Sequence, residues 1–209
     1  MRATPAVNRG GRPLDATRDL ALRKAALELL AEVGYDRMTM DAIAARASAA
    51  KTTIYRRWPS KADLVVDAID TLNGDHEIAD TGSLRTDLHA MALDITGTQN
   101  HMVAMTVGMV TALAHDAELR RVFRERFIAP RMAEFRSIFE RAIERGEMAP
   151  GHDLGLLARL FPALCLQQLV ITGELPDAIS ACGLMDDVVH TLATGARTTH
   201  TSSKGTPDE

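Results

Sequence analysis

The sequence predicts an all-α protein in which a small N-terminal helical domain precedes a larger one. Three observations lead there. Aromatic residues make up only 4% of the 209 residues, against 46% hydrophobic residues and 10 Met. That balance favours unbranched side chains, which lose little rotamer freedom in a helix. Apolar residues recur at three- and four-residue intervals, and no stretch alternates as a strand does. Gly and Pro then divide the chain into helix-length pieces.

Residues 1–14 hold Pro5, Gly10, Gly11 and Pro13 and read as a flexible basic arm. Asp15 can cap a first helix reaching about Val33, with Leu22, Ala26, Leu29, Leu30 and Val33 at helical spacing and Gly34 as its stop. Thr39 supplies a hydroxyl cap for a second short helix carrying Met40, Ile43, Ala44 and Ala47. A third covers about Ala50 to Arg56 and ends at Trp58-Pro59. Ser60 caps a fourth, with Leu64, Val65, Ala68, Ile69 and Leu72, closed by Asn73-Gly74. Residues 75–83 are polar and read as a linker. Helical patterns resume at about 84–97, 101–114, 117–145, 153–173 and 184–195, punctuated by Gly146, Pro150-Gly151, Gly173, Pro176 and Gly183. Residues 198–209 are rich in Thr, Ser, Gly and Pro and read as a disordered tail. The expected organisation is an arm at 1–14, a three-helix domain at 15–60, a helical domain at 61–197 and the tail.

No apolar run is expected to approach the roughly 20 residues that cross a bilayer, and the polar, Arg-rich N-terminus lacks the apolar stretch of a signal peptide. Cys165 and Cys182 make neither a metal-type spacing nor a disulfide framework. A soluble cytoplasmic protein with reduced thiols and no membrane partner is therefore expected. Nucleophile elbow, phosphate loop and dinucleotide fingerprint are all missing from the sequence, and its seven His include no pair at i, i+3 or i+4. No enzyme activity, cofactor or metal is expected.

The net charge of −4 hides an asymmetry. Residues 1–61 hold 12 Lys+Arg against 6 Asp+Glu, a balance of +6, and the remainder holds 12 against 22, a balance of −10. A basic head on an acidic body suggests that the head alone meets a polyanion.

The segment Thr39–Leu64, TMDAIAARASAAKTTIYRRWPSKADL, sets two helices of about eight residues on either side of a very short turn. That is the helix-turn-helix plan, whose second helix lies in the major groove of DNA. The run TIYRRWPSKADL followed by an apolar helix, with ALELLAEVGYDRMTMDAIAARA before it, closely resembles the DNA-binding signature of the tetracycline-repressor (TetR) family. The likeness covers about residues 15–70 and continues more weakly through 117–147, whose AIERGEM ending is similar to that of many members. Three positions depart from the pattern. The family usually has Gly where Ser48 stands, and often Val and Ser where Ala49 and Ala50 stand. Loss of a side-chain cap at Ala50 costs the third helix about 1 kcal/mol, and the turn geometry is the feature these departures put in question.

Residue chemistry distributes the roles. Thr39 can bond a phosphate beside the free backbone N–H groups at its helix start. Lys61 matches the phosphate-binding lysine of the family, and the resemblance gives Tyr55 a backbone contact as well. Base reading falls to the third helix. There Lys51 and Arg56 can donate to guanine O6 and N7, while Thr52 and Thr53 offer hydroxyls and methyls suited to thymine. Arg46 can reach base or phosphate from the second helix. Ile54 and Trp58 are expected in the core and Arg57 as a solvated charge. In the arm, Arg9-Gly10-Gly11-Arg12-Pro13 suits either a narrow A·T minor groove, with Arg12 the better placed of the two arginines, or diffuse electrostatic contact from a disordered tail.

The larger domain needs a task besides DNA binding, and the resemblance implies an effector pocket and a dimer interface. Met102, Met105 and Met109 lie at i, i+3 and i+7 on one helix, a soft, adaptable face for a partly apolar small molecule or simply core filling. Phe123, Phe127, Phe135 and Phe161 can join the same cavity, with Cys165 and Gln168 as orienting polar groups. Helices 153–173 and 184–195 resemble the family's interface pair, with Leu156, Leu160, Leu164, Leu184, Val188 and Leu192 as its seam. The expected function is a homodimeric repressor on a palindromic operator, released by a small-molecule effector. An activator or an effector-independent regulator of the same fold, and more remotely an architectural DNA-binding protein, are the alternatives.

Overall fold

The computed structural model describes residues 12–73, 80–97 and 109–195, and every regular element among them is helical. Helix α1 (Arg12–Arg37) starts three residues before Asp15. Arg12, expected in the arm, is therefore in its first turn, where Pro13 leaves no N–H unpaired. The helical run breaks at Gly34 (φ 74°, ψ 166°), the position expected to end it. Gly supplies that positive φ without a Cβ clash.

Helices α2 (Met40–Arg46), α3 (Lys51–Arg57) and α4 (Lys61–Asn73) follow. Two expected caps are in place. Thr39 Oγ1 accepts the Ala42 N–H at 3.1 Å, and Ser60 Oγ accepts the Asp63 N–H at 3.2 Å while donating to Asp63 Oδ2 at 2.8 Å. Between α2 and α3 the chain makes a tight αL turn. The Ala49 N–H donates to the Ala44 C=O at 2.9 Å and the Ser48 N–H to the Ala45 C=O at 3.2 Å, with Ser48 itself at φ 51°. That pair of bonds is the Schellman arrangement, which normally places Gly at the left-handed residue. The unusual residues thus keep the usual turn, and Ser48 carries the strain. Ala50 makes no side-chain cap.

Leu22, Ala26 and Leu30 of α1, Ile43 of α2, Ile54 of α3 and Leu64, Val65 and Ala68 of α4 close a first core. Helix α4, expected to open the larger domain, buries its apolar side chains here. The same core takes in Met109 and Ala112 from the helical residues 109–115 (α6), then Leu119 and Val122 of α7 (Ala117–Phe123), and Phe127.

A second core lies among α5 (Leu84–Gly97), α8 (Ala129–Glu144), α9 (Leu154–Thr172) and α10 (Ala178–Leu184) with its continuation α11 (Thr191–Thr194). Phe139 and Phe161 are its largest fully buried side chains. The AIERGEM segment joins α8 to α5. Gly146 takes φ 77°, Glu147 accepts the Leu84 N–H at 2.6 Å, and Arg145 reaches the buried Asp87 at 3.1 Å while pairing with Glu147.

Several boundaries differ from expectation. The single helix expected over 117–145 contains a π-turn at Arg124–Ile128, just before Pro130, which has no N–H to offer the Arg126 carbonyl. The last helix starts at Ala178 rather than 184, because Asp177 accepts the Ser180 N–H at 2.8 Å and caps it. Gly183 is inside that helix, a position costing about 1 kcal/mol relative to Ala but tolerated. Helix α9 also corrects the membrane expectation, since its 19 residues are long and apolar enough to span a bilayer by length and composition alone. It packs against α8 on one side, and most of its side chains are not buried.

Ser48→Gly relieves the left-handed strain in the helix-turn-helix turn. It is expected to stabilise the protein by up to about 1 kcal/mol, raising Tm by about 2–4 °C in a thermal melt.

Candidate nucleic-acid interface

Helix α3 is held from behind. Ile54 and Trp58 are fully buried or nearly so, at 0% and 4% exposure, as expected. Trp58 Nε1 donates to Asp67 Oδ2 of α4 at 2.8 Å, and Arg23 Nε of α1 donates to the same oxygen at 2.8 Å. The Arg23 guanidinium also lies 5.6 Å from the Trp58 ring centroid. Arg57, expected as a solvated charge, pairs instead with the buried Asp19 of α1 at 2.6 Å.

With that side fixed, α3 presents Lys51, Thr52, Tyr55 and Arg56 to solvent, at i, i+1, i+4 and i+5, and leaves Thr53 half-buried beside them. Residues at this spacing share one face of a helix. Five of the expected contact residues therefore form one polar edge on an apolar anchor. Thr39 is exposed at the start of α2, its oxygen engaged as a cap and its hydroxyl proton still available to a phosphate.

The other expected contacts are more constrained. Arg46 makes a bidentate pair with Glu32 of α1 at 2.6 and 2.7 Å, and this bond holds the Glu32 carboxyl below its ordinary range. The pair engages two of the five guanidinium N–H donors and fixes where the others can meet DNA. Lys61 Nζ donates to the Tyr35 and Met38 carbonyls at 2.8 and 3.2 Å and sits 4.0 Å from the Tyr35 ring centroid. Burial lowers its pKa, while Asp116 and Asp36 pull the other way. One of its three N–H donors is left for another partner. The Arg12 side chain and Arg9 lie outside the described residues.

Sequence reasoning missed Asp41. Its Oδ2 lies 2.6 Å from Lys51 Nζ, and both side chains are more than half exposed. The one available signal was an acid in the first turn of α2, ten residues before the lysine.

Residues 22–68 match the family described as bacterial regulatory proteins, tetR family, and residues 78–188 match the tetracyclin repressor-like C-terminal domain. The chain belongs to the TetR family. Similar to it is the DNA-binding transcriptional repressor TetR of Mycobacteroides abscessus, 38% identical over 179 residues, covering 84% of this chain and 94% of that protein. Solved structures of the same fold include Salmonella enterica GusR, 20% identical with a TM-score of 0.68, covering 90% of this chain and 98% of that one. FadR from Bacillus subtilis, solved in complex with stearoyl-CoA, is 20% identical with a TM-score of 0.61 over 85% of this chain and 99% of its own. The protein is thus a DNA-binding transcriptional regulator of the TetR family, with a helix-turn-helix head and a helical C-terminal domain.

Within that C-terminal domain the candidate ligand residues separate. Met109, Phe123 and Phe127 belong to the first core or pack against it, the two rings stacked 4.8 Å apart. Phe161 and Cys165, with Phe135, belong to the second. The single cluster expected of them is not what the described residues form, because α6 and α7 pack on the head while α9 packs on α8. Burial pushes the Cys165 thiol up to about 12, so it stays protonated at neutral pH. Gln168 is half-buried, and Met102 and Met105 lie outside the described residues.

The expected seam divides as well. Leu156 and Leu192 are exposed, Leu160, Leu164 and Val188 are intermediate, and Leu184 packs partly on the second core. Val170 (74%) and Ile171 (70%) of α9 and Ile179 of α10 add to the open apolar surface.

Lys61→Ala removes the ammonium from two carbonyls at the end of α1. It is expected to cost about 2 kcal/mol and to lower Tm by about 4–8 °C, read in a thermal melt without DNA.

Proposed function

We propose that this regulator is a homodimeric cytoplasmic repressor that binds a palindromic operator and is released by a partly apolar small molecule. The observation that carries the DNA half is the outward polar edge of α3 on its buried Ile54–Trp58 anchor. Lys51 and Arg56 read guanine edges there, with Thr52 and Thr53 against thymine, while Thr39, Tyr55 and the remaining N–H of Lys61 take phosphates. Arg46 serves as a brace between α1 and α2, and Arg12, at the start of α1, takes the adjacent minor groove. The 38% identical relative described as a repressor supports the sign of regulation.

The dimer reading rests on α9 to α11. Leu156, Leu166, Val170, Ile171, Ile179 and Leu192 stand exposed in a single chain. A second copy related by a two-fold axis covers them with its own equivalents. Two reading helices then lie roughly 34–36 Å apart, or a multiple of that, which makes the operator palindromic.

For the effector, support comes from the family and from FadR, whose bound stearoyl-CoA joins a long apolar acyl chain to a polar, charged coenzyme A. The candidate ligand residues are Met109, Phe123 and Phe127, in or against the first core, and Phe161, Cys165 and Gln168 on α9, and a molecule that reaches both groups bears on both cores. Such a ligand shifts the head equilibrium only by its difference in affinity for the two arrangements, about 1–3 kcal/mol or 5–150-fold in operator affinity.

Selection of binding sites from random duplex DNA tests the reading, and a palindromic motif is expected. Enrichment of no motif, the behaviour of an architectural protein, overturns it. Arg56→Ala is expected to relax the base preference at one position of each half-site, leaving the other positions unchanged. Val170→Asp places a charge on the open face of α9. It is expected to convert the dimer to a monomer in sedimentation velocity and to abolish tight operator binding, with helicity retained.

A further inference from the structure

The cation that opens the reading helix is not left to diffuse contact. Lys51 is the first residue of α3, and its ammonium is held 2.6 Å from Asp41, the second residue of α2. Neither side chain is buried, at 63% and 60% exposure, so the pair sits on the same open surface as Thr52, Tyr55 and Arg56. Thr39, two residues before Asp41, is exposed there too. The first turn of α3 contains no acidic residue, and Ala50 offers it no side-chain cap. The carboxylate that balances Lys51 therefore comes from the neighbouring helix.

A free lysine on such a surface is a flexible point charge that any phosphate can engage. Such contacts raise affinity for all sequences alike. A carboxylate in the interface does two things against this. It repels phosphates that approach without matched base contacts, and it engages one of the three N–H donors of the ammonium. The two remaining donors suffice for guanine O6 and N7. A lysine so tethered has fewer ways to meet a phosphate and a defined position from which to meet a base.

We propose that Asp41 is a positioning residue for sequence recognition. It holds Lys51 for base reading and raises the operator's advantage over bulk DNA. This rests on the reading of α3 as the helix that enters the major groove.

The test is site selection with wild type, Asp41→Asn, Asp41→Glu and Lys51→Ala, followed by affinities for the selected operator and for random duplex. Wild type is expected to select guanine at the position where Lys51→Ala loses it. Asp41→Asn is expected to lose the preference at that same position only, and to bind random duplex about two- to fivefold more tightly, the scale of an exposed ion pair. Asp41→Glu, which keeps the charge, is expected to restore the preference. Lys51→Ala in the Asp41→Asn background is expected to relax selection no further. Thermal melts of each variant separate loss of folding from loss of reading, and Asp41→Glu reports even if Asp41→Asn melts early. Full retention of the preference in Asp41→Asn, or relaxation at a different position from Lys51→Ala, overturns the inference while leaving the operator-binding reading intact. A wild type that selects nothing overturns both.

Discussion

One carboxylate fixes the geometry on which DNA reading depends. Asp67 of α4 accepts from Trp58 at the end of α3 and from Arg23 of α1 through a single oxygen. Short helices such as α3, seven residues long, are marginal by themselves, so tertiary anchoring has to set the direction of α3. Ile54 supplies apolar burial, and Arg57 on the buried Asp19 ties the same helix to α1. The polar edge can face outward because the opposite side is held at three points, against two different helices.

Helix α4 also touches the other half of the molecule. Asp63 and Asp70, four residues before and three after Asp67, pair with Arg126 at 3.0 Å and Arg131 at 3.1 Å. Arg126 lies within the π-turn between α7 and α8, and Arg131 just past it. A second link joins His115 at the end of α6 to Asp36 at the end of α1, at 3.1 Å. The first core itself includes Met109, Leu119, Val122 and Phe127. Head and body thus share side chains across α4, and a change in the packing of α6 to α8 has a short path to the reading helix. An interface of this kind has few discrete arrangements, which is the physical requirement for coupling two sites.

What was legible in the sequence is what is local. Thr39 and Ser60 announce their caps because a cap bond spans three residues, and Gly34 marks the break in α1 because few other residues accept its φ. Ile54 and Trp58 stand out as the apolar anchor among polar neighbours on α3, so the outward set could be named. Contacts between helices were not legible. The hold of Glu32 on Arg46 and of Asp41 on Lys51 spans 14 and 10 residues and depends on how three helices cross. Met109, Phe123 and Phe127 share an apolar character with Phe161 and Cys165, and nothing in that character tells which core each enters. The start of α10 was missed because Gly183 looked like a stop while Asp177, the cap, directly follows Pro176 at the end of a short loop. In α9 the same leucine-rich composition serves a core on one side and an open face on the other, and only the fold separates them.

The central claim is that the edge from Lys51 to Arg56 enters the major groove twice, once from each subunit. Hydroxyl-radical footprinting of the purified protein on its selected operator measures this directly. The account predicts two protected patches related by a two-fold axis, with centres about 10 base pairs apart or at a multiple of that spacing. A single patch, or even protection along the whole duplex, contradicts it.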